Sequence, residues 1–228
     1  MNNNNYSLKT FRYSSHYRIF KLLEKATASS RILEVGIANG FIGKHIKSKG
    51  FEIIGIEKNI SSIKQASEYY KEIIAIDLNK DCIPSLKPFV FIILADILEH
   101  LEEPAHILKK MQDLLKDGGK IIISVPNIAN WTIRMKLAFG NFNYQDKGIL
   151  DIGHLRFFTL KTAKDMIKNS GLEMTEFYST PIPLQFIIKP RFIAWMMNEV
   201  YYAFTKLFPN FFAYQFVFIV NKKERGTD

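Results

Sequence analysis

Cysteine is nearly absent from the chain. Cys82 stands alone, so no internal disulfide can form and no second thiolate is available to a metal cluster. That usage fits a reducing compartment, and cytoplasm is the expected location. Long apolar runs are missing too. The best of them, in the aromatic segment after Pro181, is interrupted by Lys189, Arg191, Asn198 and Glu199, so no membrane-spanning helix is expected. The polar opening MNNNN has no apolar core of a signal peptide and reads as unstructured. Acidic residues are the minority, 22 against 31 lysines and arginines, for a net charge of +9. The lysines are spread along the chain, so that excess reads as a solvated basic face rather than a patch built for a polyanion.

What is present is the composition of an ordinary globular protein, 47% hydrophobic and 23% charged over 228 residues. That is enough for one well-buried core and too little for two comfortable ones. A single domain over 1–228 is expected, with an N-terminal arm and helix within 1–30 and irregular insertions at 128–158 and 181–210.

Strand and helix patterns alternate along most of it. HYRIFKLLEKA, from His16 to Ala26, carries a helical apolar stripe. RILEVG reads as a buried strand, Phe41 to Gly50 as a helix, and Phe51 to Glu57 as a second strand. SSIKQASEYYKE, opened by Ser61 and Ser62, is a helix, and Ile73 to Leu78 a third strand. Phe89 to Asp96 is too continuously apolar to have a wet face. The next helix has Pro104 in its first turn, Leu114 and Leu115 on its apolar face, and Gly118-Gly119 as its stop. Lys120 to Asn127 makes a fifth strand, Thr159 caps the helix LKTAKDMIKNSG, Leu172 to Thr180 is a sixth strand, and Phe211 to Lys223 a last one. Such alternation predicts an α/β fold, a mostly parallel sheet with helices on both faces.

A sheet of this kind binds ligands at the carboxyl ends of its strands. Each of the first four strands ends at or near an acid: Glu34, Glu57, Asp77 and Asp96. Four converging carboxylates are costly unless a ligand supplies donors or positive charge. Glu57 lies twenty-one residues after Gly36, where a carboxylate can accept from both ribose hydroxyls of an adenosine. Two cofactors then compete. A dinucleotide wants G-x-G-x-x-G, which survives in ILEVGIANGF only as A-x-G-x-x-G running from Ala38 to Gly43. A sulfonium cofactor has no phosphate and carries positive charge, which gives Glu34, just before the loop, a purpose. Alanine at position 38 implies that this position sits in an ordinary backbone region, with glycine needed for closeness to the ligand more than for conformation.

LEVGIANG resembles the first motif of class I S-adenosylmethionine-dependent methyltransferases, with Ala38 in place of the middle glycine. LADILEHL, KIIISVPN and GHLRFFT are similar to one broad branch of that family, whose members often serve sugar, lipid or quinone-like pathways. The resemblance implies a Rossmann-like, seven-stranded, mostly parallel sheet whose last strand is antiparallel. It implies that S-adenosyl-L-methionine is held by Glu34, Gly36, Ile37, Ala38 and Gly40, by Glu57 and Lys58, by Asp77 with Leu78 at the adenine, and by Ala95 and Asp96. Transfer from a sulfonium in line to a nucleophile gains most from alignment and exclusion of water. A hydroxyl acceptor would benefit from a base, for which His100 and His154 are the candidates. Glu99, His100, Glu102 and Glu103 are read as dressing a helix's first turn, not as a metal site.

The expected acceptor is a small molecule. Nucleic acid is disfavoured because LADILEHL lacks the Asn/Asp-Pro-Pro-aromatic loop that holds a flipped base. The aromatic residues of the two insertions, Trp131 to Phe139 and Phe186 to Phe204, are expected mostly to extend the core. Any left exposed would form a lid over an apolar acceptor or a surface resting on an anionic membrane. The alternatives are an NAD-dependent oxidoreductase and a non-catalytic binding module on the same fold.

Overall fold

The computed structural model describes residues 11–184 and 189–223. Seven strands form one sheet: β1 (Arg31–Val35), β2 (Glu52–Glu57), β3 (Glu72–Ala75), β4 (Phe89–Ala95), β5 (Leu115–Pro126), β6 (Leu172–Thr180) and β7 (Gln215–Lys222), in the order β3-β2-β1-β4-β5-β7-β6. β1 to β5 are parallel, and β7 runs antiparallel between β5 and β6. β6 therefore points the same way as the first five, and the sheet topology is the one the sequence resemblance implies. The helices are α1 (Ser15–Leu23), α2 (Phe41–Ile46), α3 (Ile60–Ala66), α4 (Pro104–Leu114), α5 (Trp131–Ala138), α6 (Leu160–Asn169), α7 (Arg191–Leu207) and the single turn α8 (Pro209–Phe212).

The near-continuous apolar strands are explained by burial on both faces. Ile32, Ile53, Ile93 and Ile122 meet Ile19 and Leu23 of α1 and Ile42 and Ile46 of α2 on one side. Leu33, Ile54, Ile92 and Ile121 meet Leu108 and Met111 of α4 and Ile167 of α6 on the other. Sequence neighbours thus alternate between two cores, each fully buried aliphatic side chain contributing about 1.5–3 kcal/mol.

Several boundaries differ from the sequence reading, each for a local reason. α3 starts one residue before the serines because Asn59 is the cap, its Oδ1 accepting from the backbone N–H of Ser61 and Ser62. β3 stops at Ala75 because Asp77 turns the chain, accepting from Asn79 N at 3.1 Å. α4 ends at Leu114: Leu115 is already extended and pairs with Phe89, and the register shifts before pairing resumes at Lys120. β7 begins at Gln215 because Pro209–Phe212 coils first. Thr159 caps α6 as expected, in a reciprocal box with Thr162.

The larger correction concerns the two insertions. Residues 128–158 hold a small core of their own, Ile133, Ile149 and Leu150, but Trp131, Met135, Leu137 and Phe139 are exposed. Among the described side chains of α7, Ala194, Tyr202 and Thr205 are the buried ones, while Phe192, Trp195, Met196, Met197 and Phe204 face outward. Phe186 lies outside the described residues. Most of this aromatic surface does not extend the core.

Candidate active site

The loop after β1 is built on left-handed backbone. Gly36, Ala38 and Gly40 have φ of 74°, 46° and 71°, so Ala38 is not in an ordinary region as the sequence reading had it. The glycines are needed for conformation and packing: a Cβ on Gly36 would lie 2.7 Å from Ile97 Cδ1, and one on Gly40 2.7 Å from Ala66 Cβ. The alanine costs about 1–2 kcal/mol where it stands. What holds it is Glu57 at the end of β2. Ala38 N–H donates to Glu57 Oε2 at 3.0 Å, while Lys58 N–H and Asn59 N–H donate to Oε1 at 3.0 and 2.9 Å. Three of that carboxylate's roughly four acceptor positions are thereby filled.

Replacing Ala38 with glycine should raise the unfolding free energy by about 0.5–1 kcal/mol, because relieved strain exceeds the added chain entropy of glycine. Urea unfolding would measure it. A destabilised Ala38→Gly protein would show that the turn is not strained.

Ile37 turns inward: it is buried, and a Cβ on Gly55 would meet its Cγ2 at 3.0 Å.

Glu34 does not face the loop's open side. It is 3% exposed and accepts a hydrogen bond from Tyr70 Oη at 2.7 Å. Burial, opposed by the Tyr70 and Gly43 hydrogen bonds, pushes its carboxyl up to about 8. A carboxyl so raised is largely protonated at neutral pH, which removes the charge that would complement a sulfonium. Gly43 serves this internal contact, since a Cβ there would lie 2.4 Å from the Tyr70 ring.

At the next strand ends, Lys58 Nζ stands 3.8 Å from Asp77 Oδ2, and Leu78 packs its side chain against the α4 core. Ala95, half-buried, ends β4. Asp96 follows it with φ of 53°. Its Oδ1 accepts from Ser124 Oγ at 2.7 Å and its Oδ2 from Gln215 Nε2 at 2.6 Å. A non-glycine residue held left-handed by two side chains from β5 and β7 is the kind of constraint that accumulates at functional sites.

Beside Asp96 opens a cleft lined by Glu99, His100, Asp151, His154, Tyr214 and Gln215. His100 Nδ1 lies 2.8 Å from Gly153 O and His154 Nδ1 3.1 Å from Ile149 O. A carbonyl only accepts, so each Nδ1 carries the proton and, in the neutral ring, each Nε2 keeps its lone pair. The rings meet edge to face with centroids 4.8 Å apart, and His154 Nε2 is 3.9 Å from Glu99 Oε1. Burial, then the neighbouring His100, lowers the pKa of His154, which keeps it neutral at pH 7.

Glu99 corrects the sequence reading. Of the acids after β4, Glu103 does stand at the start of α4, as its N-cap, but Glu99 does not belong to that helix. It is buried in a separate 3-10 turn, Leu98–His100. Glu99, His100 and His154 could each lend one ligand atom to a metal, all within 4.8 Å of one another. Ligands sharing one ion at 2.0–2.1 Å sit roughly 3–3.4 Å apart, so these groups would have to draw together. Asp151, Tyr214 and Gln215 were missed. Asp151 lies three residues before His154, where its position could have been noticed. Tyr214 and Gln215 reach the site only because β7 inserts between β5 and β6.

A glycine loop after the first strand of an α/β sheet, with a polar cleft beside it at the carboxyl ends of the strands, is the arrangement in which this class of fold binds ligands. The comparisons narrow it. The model for the methyltransferase domain family matches residues 11–176, and the chain belongs to that family. An uncharacterized methyltransferase of Alkaliphilus oremlandii is 32% identical over 94 residues, 40% of this chain and 44% of that protein. The ubiquinone biosynthesis O-methyltransferase of Rickettsia canadensis is 29% identical over 132 residues, 56% of this chain and 50% of the relative. The chain thus spans about half the length of these curated relatives. The N-methyltransferase NodS of Bradyrhizobium japonicum, solved with S-adenosyl-L-homocysteine, shares the fold with a TM-score of 0.59 at 16% identity, over 92% of this chain and 86% of that one. The cofactor of the class is S-adenosylmethionine.

Proposed function

We propose that the protein moves the methyl group of S-adenosylmethionine to a hydroxyl of a small-molecule acceptor, a sugar, lipid-linked or quinone-like compound, in the cytoplasm and with one face at a membrane. The residues fit the cofactor. The backbone of Gly36, Ile37, Ala38 and Gly40 would line its amino-acid end, Glu57 would accept one ribose hydroxyl in this arrangement rather than two, and Lys58, Asp77 and Leu78 would border the adenine. Ala95 and Asp96 would close the loop side. Glu34 is left out of that set because of its burial against Tyr70. When bound, the cofactor supplies an electrophilic methyl group; the chain's own residues align the acceptor, exclude water and take a proton.

The observation that carries the hydroxyl acceptor is the pair of imidazoles. Both are fixed by Nδ1 donation to carbonyls, so both present Nε2 as a base, and His154 stays neutral. The O-methyltransferase activity named for the Rickettsia relative supports the same acceptor class. The oxidoreductase alternative lacks its full fingerprint, because Ala38 stands where the first glycine of G-x-G-x-x-G belongs.

Incubation with methyl-labelled S-adenosylmethionine and fractionated cell extract tests the proposal. Label should enter an alkali-stable ether in a low-molecular-weight fraction, and His154→Ala should cut that rate by about 10²–10⁴-fold while S-adenosylhomocysteine affinity is kept. Label in nucleic acid or protein, or no affinity for S-adenosylhomocysteine, would overturn it.

A further inference from the structure

α7 is amphipathic the wrong way round for a surface helix. Its polar groups face the protein: Glu199 accepts from Tyr13 Oη at 2.6 Å, Tyr202 Oη accepts from Arg18 at 2.6 Å, and the Thr205 carbonyl accepts from Ser179 Oγ at 3.1 Å. Its outer face is apolar, with Phe192 67%, Trp195 57% and Leu207 71% exposed. A surface helix ordinarily turns that stripe inward. The patch continues onto neighbouring elements. Trp131 Nε1 of α5 donates to Tyr201 Oη at 2.9 Å, and Phe204 of α7 packs on Phe212 of α8 with ring centroids 5.7 Å apart. Monomeric soluble proteins seldom leave so continuous an apolar face to water.

The charges around this face are mostly basic. α5 carries Arg134 and Lys136 and no acid; α7's one acid, Glu199, is engaged by Tyr13 and lies 3.6 Å from Arg12. Lys189 and Lys206 are exposed at its two ends. On the flank of α7, Arg12, Arg18 and Lys206 line a cleft of about 490 Å³ with Tyr13, Tyr17, Tyr202 and the carboxylate of Glu199, three cations against one acid. A second copy docked by two-fold symmetry would set these cations against their own images with only Glu199, already 3.6 Å from Arg12, to offset them. An anionic surface gains from both features, apolar insertion and basic rim.

We infer that the outer face of α7, with α5 and α8, docks the protein on an anionic lipid bilayer, the Arg12–Arg18–Lys206 cleft receiving a headgroup phosphate. α7 links the end of β6 to the start of β7, and α5 follows β5. Both therefore lie at the carboxyl edge of the sheet, on the same rim as the histidine cleft. The acceptor consequence, that an amphiphilic substrate enters from the bilayer, rests on the proposed methyl transfer; the docking does not.

The test needs no mutation at first, because both tryptophans of the chain, Trp131 and Trp195, lie on this face. With vesicles of phosphatidylcholine containing phosphatidylglycerol, tryptophan emission should shift to the blue and be quenched by brominated acyl chains. Phosphatidylcholine alone should give at least tenfold weaker binding. Trp195→Asp with Phe204→Asp should abolish vesicle binding without changing the thermal midpoint or S-adenosylhomocysteine affinity. Arg12→Glu with Lys206→Glu should remove the preference for anionic lipid. Unshifted emission, equal binding to neutral vesicles, or a dimer in analytical ultracentrifugation that Trp195→Asp dissociates would overturn the inference. S-adenosylhomocysteine affinity, measured without vesicles, reports separately on the methyl-transfer reading.

Discussion

Replacing Glu34 with glutamine should stabilise the protein at pH 8 and flatten its stability between pH 5 and pH 8. The native carboxyl is raised to about 8 from an ordinary 4.5. Across that interval the unfolded chain releases the proton while the folded chain retains it, so unfolding grows more favourable as pH rises. Below 4.5 both states are protonated and the difference vanishes; above 8 both are ionised and the loss is complete. At about 1.4 kcal/mol per pH unit, the wild type loses on the order of 3–5 kcal/mol over this window. Glutamine can still accept from Tyr70 Oη through its carbonyl, and it cannot ionise. Urea unfolding of both proteins from pH 4 to pH 9 measures the effect, and parallel profiles would show that Glu34 titrates normally. The same variant tests whether Glu34 serves the ligand. A residue sealed against Tyr70 should leave S-adenosylhomocysteine affinity at pH 7 within about twofold of wild type.

Two features of the first loop, the left-handed Ala38 and the buried Glu34, escape the sequence for one reason. Strands with both faces buried write themselves into a sequence as unbroken apolar runs, and caps such as Thr159 act over three residues, so the sheet and most helices were legible. Ala38 was misread because its N–H is held by Glu57, nineteen residues on. The burial of Glu34 was missed because its partner Tyr70 is thirty-six residues away. Contacts at that range leave no spacing to find. α7 shows a different limit: a helical period reveals that one stripe is apolar but not which stripe faces inward, and here the polar stripe does. Glu99 combined both difficulties, since the acids after β4 look like a helix start and only the fold brings His154 over one of them.

Glu57→Ala should weaken S-adenosylhomocysteine binding by about 2–5 kcal/mol, through two losses that can be separated. One is the acceptor for a ribose hydroxyl, about 1–3 kcal/mol. The other is the clasp on Ala38. With Oε2 gone the Ala38 N–H loses its 3.0 Å partner, nothing offsets a left-handed alanine, and the loop relaxes away from the geometry that its two flanking glycines permit. Lys58 N–H and Asn59 N–H lose their acceptor as well, so stability should fall by about 1–2 kcal/mol. Combining Glu57→Ala with Ala38→Gly separates the two: glycine is at ease in the left-handed turn, so the double variant should regain stability and the conformational share of affinity, but not the hydroxyl contact. Calorimetry on the single and double variants reads both losses. Unchanged affinity in Glu57→Ala would remove Glu57 from the cofactor site, and full recovery in the double variant would make it a clasp for the loop and nothing more.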